Sequence, residues 1–333
     1  MSTIGNTYLT LADVFKRTDA DKQIAAVIEL LAQDNPILQD MIVKECNDGT
    51  THLTTVRTGI PEGTWRMLYQ GVQPTKSTTA QVRDATGMIE AWSEIDEKLV
   101  RMTGDSAGLR LSEAQAFLEG LNQGVATSMF YGDQATSPAK FTGFAPRFNK
   151  IATSGSGAQI VDAGGTGSDN TSIWFIVWGE NTVHGLYPKG SKAGIDREDK
   201  GKQTKTNADG SILDVVREKF QWDIGLSVRD YRYVSRIANI DVSDVKSGNV
   251  KLYDFMRKAY YKLKQRRVMG GRAAIYLNTD MLEALDALAT NGGTTDNFVR
   301  LTRKEIEGEE VLTYRGIPLR ESDALLNTEA RVV

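Results

Sequence analysis

The sequence predicts an α+β fold, and three observations carry that prediction. Apolar residues at Leu111, Ala114, Phe117, Leu118, Leu121, Val125, Met129 and Phe130 recur at spacings of three and four, which paints one side of a long helix over 111–131. Trp222, Ile224, Leu226 and Val228 alternate with Asp223, Gly225, Ser227 and Arg229, the period of a half-buried strand. From residue 242 helical and strand patterns alternate, as in a compact α/β block.

The helix is the organising element. Ser112 and Gln115 stand as N-cap and N3 of a capping box, and Gly132-Asp133 stops it. It would be roughly 30 Å long by helical rise. Pro138, Phe141-Thr142-Gly143-Phe144 and Pro146 then describe an ordered loop anchored by aromatics. The stripe alone would also describe an ordinary core helix; its length suits a spine with something laid against it.

Ahead of it, residues 1–47 read as a helical arm. Asp19 and Asp21 lead into Ile24, Val27, Ile28 and Leu31, and Asn35-Pro36 breaks the helix before another turn or two over 37–43. The Asp19-x-Asp21 pair is no calcium loop, because Ile24 and Leu30 stand where glycine and glutamate are needed. Residues 51–57 are β-prone, 59–63 turn, Thr64–Tyr69 reads as a second strand, and Thr75–Val82 as a third extended piece after Pro74. This hairpin carries Trp65, Met67 and Tyr69 between threonines and glycines, so it has little with which to build its own core. Met88, Trp92, Ile95, Leu99 and Met102 follow at helical spacing, closed by Gly104.

Beyond the spine, residues 153–172 are rich in glycine and serine. They match neither phosphate-cradle pattern and read as a mobile loop. Residues 173–178 form an apolar strand expected to pair with 183–187 across 179–181. Residues 188–210 read as an exposed hairpin or loop, and the alternating strand at 222 continues through Tyr231 and Tyr233 to Ile240. In the last block Leu252, Phe255, Met256, Ala259, Tyr260 and Leu263 make a helix. Lys262, Lys264, Arg266 and Arg267 crowd its end and complement its dipole on a solvated face. Residues 273–277 form a buried strand. The next helix is capped by Asn278, Thr279 or Asp280 and turns Met281, Leu282, Leu285 and Leu288 inward; strands follow at 311–314 and 317–320.

Composition narrows the function. The 333 residues are 40% hydrophobic and 25% charged, and no run of about 18 apolar residues occurs. No secretory pattern opens the chain, and the single Cys46 cannot form an internal disulfide, which fits a reducing compartment. A net charge of −3 argues against a protein that coats nucleic acid. The two histidines, His52 and His184, lie in unsuitable settings for zinc or for a nucleophile elbow, and both read as structural. No catalytic, cofactor or metal site is expected.

Specific stretches carry a family resemblance. They are Pro61-Glu62-Gly63-Thr64-Trp65-Arg66 with Gly71, Phe141-Thr142-Gly143-Phe144, and Asp162-Ala163-Gly164-Gly165-Thr166-Gly167 with Ser172-Ile173-Trp174. Trp178-Gly179, Gly185-Leu186-Tyr187-Pro188, Trp222-Asp223-Ile224-Gly225-Leu226 and Arg236-Ile237-Ala238-Asn239-Ile240 continue the series, and Tyr314-Arg315-Gly316-Ile317-Pro318 with Asp323-Ala324-Leu325-Leu326 closes it. In this order they resemble the major capsid protein of tailed bacteriophages, especially short-tailed ones. The resemblance implies the Johnson fold: N-terminal arm (1–47), extended hairpin loop (48–83), peripheral domain (84–241, spine 111–131, sheet 172–241) and axial domain (242–333). In the commonest version of that fold the axial block precedes the sheet, so the connectivity here looks permuted. No long scaffolding segment precedes the arm, which implies a separate scaffold or none.

The resemblance further implies a non-enzymatic shell subunit that forms hexamers and pentamers of an icosahedral head around double-stranded DNA. Its partners would be other copies, a portal, decoration or scaffold proteins, and weakly held packaged DNA; no membrane is involved. Assembly would take place in the host cytoplasm and the product would be the virion. Ile24 and Ile28 on the arm, and Trp65, Arg66, Met67 and Tyr69 on the hairpin, are the expected inter-subunit contacts. Lys76 and Asn239 are the types that cross-link in some relatives, but nothing singles out that pair. A tail or baseplate subunit would share this logic while forming rings or tubes, and an α/β enzyme over 242–333 lacks motifs.

Overall fold

Every residue of Asn170–Trp178 is buried, and its apolar run over 173–178 is that of a strand covered on both faces. The computed structural model describes residues 8–9, 32–103, 106–264, 266, 269–290, 301–306 and 309–333. In chain order its first elements are α1 (Ile37–Asp40), β1 (Val43–Glu45), β2 (Thr51–Gly59), β3 (Thr78–Asp96), α2 (Glu97–Met102), α3 (Ser106–Tyr131) and α4 (Phe144–Arg147). Then come β4 (Ile160–Asp162), β5 (Asn170–Trp178), β6 (Val183–Tyr187), β7 (Ile195–Thr206), β8 (Ile212–Val228), β9 (Val234–Asp241), α5 (Val242–Lys246) and α6 (Leu252–Lys262). The chain closes with β10 (Arg272–Leu277), α7 (Thr279–Thr290), β11 (Thr302–Ile306), β12 (Glu309–Tyr314) and β13 (Ile317–Glu321).

β5 runs between β9 and β10, antiparallel to both, and β13 extends the sheet beyond β10. The two faces of β5 feed two cores. Ile173, Phe175 and Val177 pack with Leu252, Met256, Ala259, Met281 and Leu285 of α6 and α7. Trp174, Ile176 and Trp178 pack with Met129 and Phe130 of α3 and with Phe141, Phe144 and Phe148. The predicted α6, β10 and α7 are thus observed, with Asn278 Oδ1 accepting the Met281 N–H at 3.1 Å as the cap of α7.

α3 is longer than predicted. It begins at Ser106, so Ser112 and Gln115 lie inside it and form no cap. Leu109, fully buried against Ile95, Leu99 and Val100, extends the stripe backwards, whereas Leu111 is exposed. Farther along, Ala114 and Leu121 cover Phe220, and Phe117 stacks on Phe220 with centroids 5.5 Å apart. The helix lies on β3 and β8 at one end and on β5 at the other.

Several other expectations change. Residues 84–96 are strand, with helix only from Glu97. The competing pattern was period two: Ile89, Ala91, Ser93 and Ile95 turn inward while Met88 and Trp92 stay exposed, and pairing with residues 215–225 of β8 decides the outcome. β6 meets β5 only at Trp178 and Val183; it pairs instead with β8 and β1. The strand at 222 does not run on to Ile240, because a 3-10 turn over Tyr231–Tyr233, with Asp230 accepting the Arg232 N–H, redirects the chain. Residues 153–172 are built, with a 3-10 turn and β4 pairing in parallel with β9. Lys262 is not solvated; it donates to the Ala158 and Ile160 carbonyls at 2.5 and 2.7 Å and holds that segment to α6, and burial lowers its pKa. Residues 195–206 take the exposed hairpin form against β8.

The sheet and the α/β block are interleaved rather than consecutive. β4 and β5 enter the central sheet, β7 and β8 leave it for the long pair under α3, and β9 returns beside β5. Ile24, Ile28 and most of the expected arm lie outside the described residues.

Candidate assembly surface

β2 and β3 form a two-stranded ribbon, from Thr51 opposite Ala85 to Gly59 opposite Thr78. It is about 27 Å long by strand rise. β2 is rich in threonine, and the Thr58 and Thr78 hydroxyls meet across the ribbon at 3.1 Å. Past Thr54 on β2, and up to Arg83 on β3, the ribbon is almost entirely solvent-exposed.

Residues 60–77 form the tip. The expected strand over 64–69 is absent; Pro61 and the glycines favour a loop instead. The tip turns at Met67–Gln70, where the Gln70 N–H donates to Met67 O at 3.2 Å and Tyr69 takes a positive φ of 67°. Arg66 Nη1 donates to Gln70 O at 3.2 Å, so this guanidinium braces the turn. Trp65 and Tyr69 are as exposed as in an open chain, at 101% and 103%, and Met67, Leu68 and Ile60 are exposed with them. Nothing else among the described residues covers this apolar group, which is the signature of a surface meant for a partner. Ile60 and Leu68 escaped the sequence reading although they flank the aromatics it picked out.

The root of the ribbon is firmly held. Asp84, buried, accepts from Arg147 Nη2 and Ser227 Oγ, both at 2.8 Å. Arg147, half-buried, also donates to Thr142 O and Leu226 O, so one ion pair ties β3 to α4 and β8. His52 lies opposite Asp84 on the ladder, and its ring meets His184 edge to face at 5.5 Å. Cys46 is buried nearby, and desolvation raises its thiol to about 11.

A second buried network fixes the last residues. Arg236 Nη2 donates to Glu329 Oε2 at 2.8 Å, Tyr131 OH donates to Glu329 Oε1 at 2.5 Å, and Ser172 Oγ also donates to Glu329. Burial beside that carboxylate pushes the Tyr131 phenol far above its ordinary pKa. Asn239, with a positive φ of 58°, exchanges two hydrogen bonds of 2.8 Å with the Val332 backbone and donates to Asp162. Its amide is therefore occupied and buried, while Lys76 stands on the exposed ribbon. The structure does not bring the two together.

Among the described residues no group of three or more His, Cys, Asp or Glu side chains is placed to hold a metal ion. Nor is any helix there long and apolar enough to cross a membrane. What the described residues do present is an apolar tip on a ribbon anchored at its root.

The family model described as major capsid protein GP7 matches residues 19–333. The chain belongs to the GP7 family of major capsid proteins. This capsid protein is similar, at 36% identity and a TM-score of 0.81, to a chain in a near-atomic cryo-EM structure of bacteriophage epsilon15, over 100% of this chain and 99% of that one. Weaker likeness extends to the capsid of a native GTA particle (12% identity, TM-score 0.46, 65% and 94% covered). The capsid of the Myoviridae phage XM1 is comparable (10%, 0.42, 71% and 100%). No curated protein matches. The fold is the mixed α+β fold of tailed-phage capsid proteins, and the capsid protein is a structural component of the virion.

Proposed function

We propose that copies of this capsid protein close into hexamers and pentamers of an icosahedral head around double-stranded DNA, each copy laying its ribbon tip on a neighbour. One observation carries the reading: Trp65 and Tyr69 are wholly exposed at the end of a stalk whose root is held by the Asp84–Arg147 pair. A rigid arm with an unburied apolar end gains by docking, and a lattice needs many contacts of roughly 1,000 Å² or more.

In this reading residues 48–83 are the extended loop, 84–241 with α3 the peripheral part and 242–333 the axial part, with β4, β5 and β9 shared across that last boundary. Residues 1–47, with Ile24 and Ile28, are a second reaching arm. Trp65, Met67 and Tyr69 supply the hairpin's contacts, and Arg66 shapes them. A portal and scaffold or decoration proteins complete the particle in the host cytoplasm. The near-neutral charge of −3 leaves packaged DNA weakly held.

The test is electron microscopy of the expressed chain, alone and with any scaffold. Closed shells are expected. Open tubes or rings would assign it to a tail, and a persistent monomer under assembly conditions would overturn the proposal.

A further inference from the structure

The chain has only two histidines, and the fold brings them together at the point where β3 changes partner from β2 to β8. His52 of β2 is buried and His184 of β6 wholly so. Among the described residues, three of their four ring nitrogens, His52 Nδ1 and both of His184, have no hydrogen-bond partner. A neutral ring tolerates that at modest cost, whereas a charged imidazolium with undirected N–H donors does not.

The surroundings give a second charge no welcome. Across the ladders His52 faces Asp84 on β3, and His184 faces Ser227 on β8. Asp84 is already engaged by Ser227 and by Arg147 from α4. Lys44 of β1 and Arg229, just past β8, add positive charge from the remaining sides. Cys46 and Glu45 sit where β1 ends, and the thiol stays protonated and neutral. Two imidazolium rings with centroids 5.5 Å apart would repel each other, with one committed carboxylate to share.

We propose that the His52–His184 pair is an acid-sensitive latch: neutral, it packs the ribbon's β2 against β6; protonated, it forces β2 away and frees the hairpin at its root. Release would leave β3 bound to β8, so the ribbon loosens while the sheet beneath α3 stays intact. The direction of titration agrees. Desolvation, then Arg229 and Lys44, lowers His52 against the pull of Asp84, and desolvation, then His52 and the same two cations, lowers His184 to about 4. A group depressed in the folded state contributes its full stability above the unfolded value, near pH 6.5, and loses it progressively as pH falls toward 4. The latch belongs to one subunit and does not depend on where the tip docks.

Hydrogen–deuterium exchange with mass spectrometry on the full untagged chain tests it, with labelling times matched for intrinsic exchange at about pH 7 and about pH 4.5. Peptides covering 51–59 and 78–85 should lose protection roughly tenfold or more relative to 170–178. His52→Gln with His184→Leu should abolish most of that difference. Ribbon protection independent of pH, or a differential that survives the double substitution, overturns the latch. Should the double variant fail to fold, ¹³Cε1-histidine labelling of the native chain resolves its two rings. Both should titrate below the ordinary histidine value, and a ring that titrates at or above it refutes the proposal.

Discussion

Replacing Trp65 by alanine separates folding from assembly. The side chain is fully exposed in the lone subunit, so its loss should change subunit stability by no more than about 0.5 kcal/mol. Docked in a neighbour's pocket, a tryptophan buries roughly 150–250 Å². At about 25 cal/mol per Å² that is about 4–6 kcal/mol gross. Immobilising the side chain costs about 1 kcal/mol and imperfect fit takes more, which leaves about 2 kcal/mol or above for each contact. A 2 kcal/mol loss raises the concentration at which shells form by about 30-fold. Trp174→Ala is the contrasting control, because that ring is wholly buried between Phe144, Phe148 and the Arg236 guanidinium and should cost the fold itself about 3–5 kcal/mol. Light scattering against concentration reads assembly, and urea unfolding of the subunit reads stability. An unchanged assembly threshold in Trp65→Ala, or a fall in subunit stability like that of Trp174→Ala, would refute the reasoning.

The other predictions concern the body that carries the ribbon. Glu329→Ala leaves the Arg236 guanidinium buried without its carboxylate and should lower the urea-derived stability by about 3–5 kcal/mol, with Glu329→Gln costing visibly less. Gly143→Ala would set a methyl 2.6 Å from the Ser128 and Met129 carbonyls and should destabilise by about 1–3 kcal/mol, whereas Gly63→Ala on the open tip meets nothing and should be near neutral. Because burial and nearby carboxylates hold the Cys46 thiol at about 11, iodoacetamide at about pH 8 should leave the folded chain unlabelled and modify it once urea opens it.

How far the residues announced this structure depends on the range of the forces involved. β5, α6, α7 and the C-terminal half of α3 were legible because a local period coincides with burial. Residues 84–96 were misread because Met88, Trp92 and Ile95 happen to fall at helical spacing. The alternation of Ile89, Ala91 and Ile95 was equally present, and a ladder to β8, more than a hundred positions away, made the choice. The exposed tip could be anticipated from what its neighbours lacked, since threonines and glycines cannot cover a tryptophan. Its anchor could not, because Asp84 finds Arg147 63 positions away and Ser227 143 positions away, and neither residue carries a local pattern. The two histidines were read as structural one at a time, and their meeting is a product of topology alone.

The same topology determines how the ribbon can move. β3 is one strand of 19 residues with two jobs: its first half pairs β2 in solvent and its second half pairs β8 under the spine helix. The hand-over is pinned from several directions. Thr86 donates twice to Thr50 O, Asp84 is held by Arg147 and Ser227, and Gly87 lies so close to the backbone of residues 139–141 that a methyl there would stand 3.0 Å from Ala139 O. With only a hydrogen on its α-carbon, Gly87 lets the strand lie close on the loop that follows α3, where a side chain would push the 139–141 backbone back by a few tenths of an ångström. The tip is therefore joined to β8 through one continuous strand. Behind it, α3 spans from the long strands β3 and β8 to the β5 core and packs on both. The hand-over at 84–87 is also where the Asp84 pair sits and where β2 and β6 bring His52 and His184 alongside. A swing of the ribbon away from the body would first have to break the Asp84 bonds to Arg147 and Ser227 and the Thr86 bonds to Thr50.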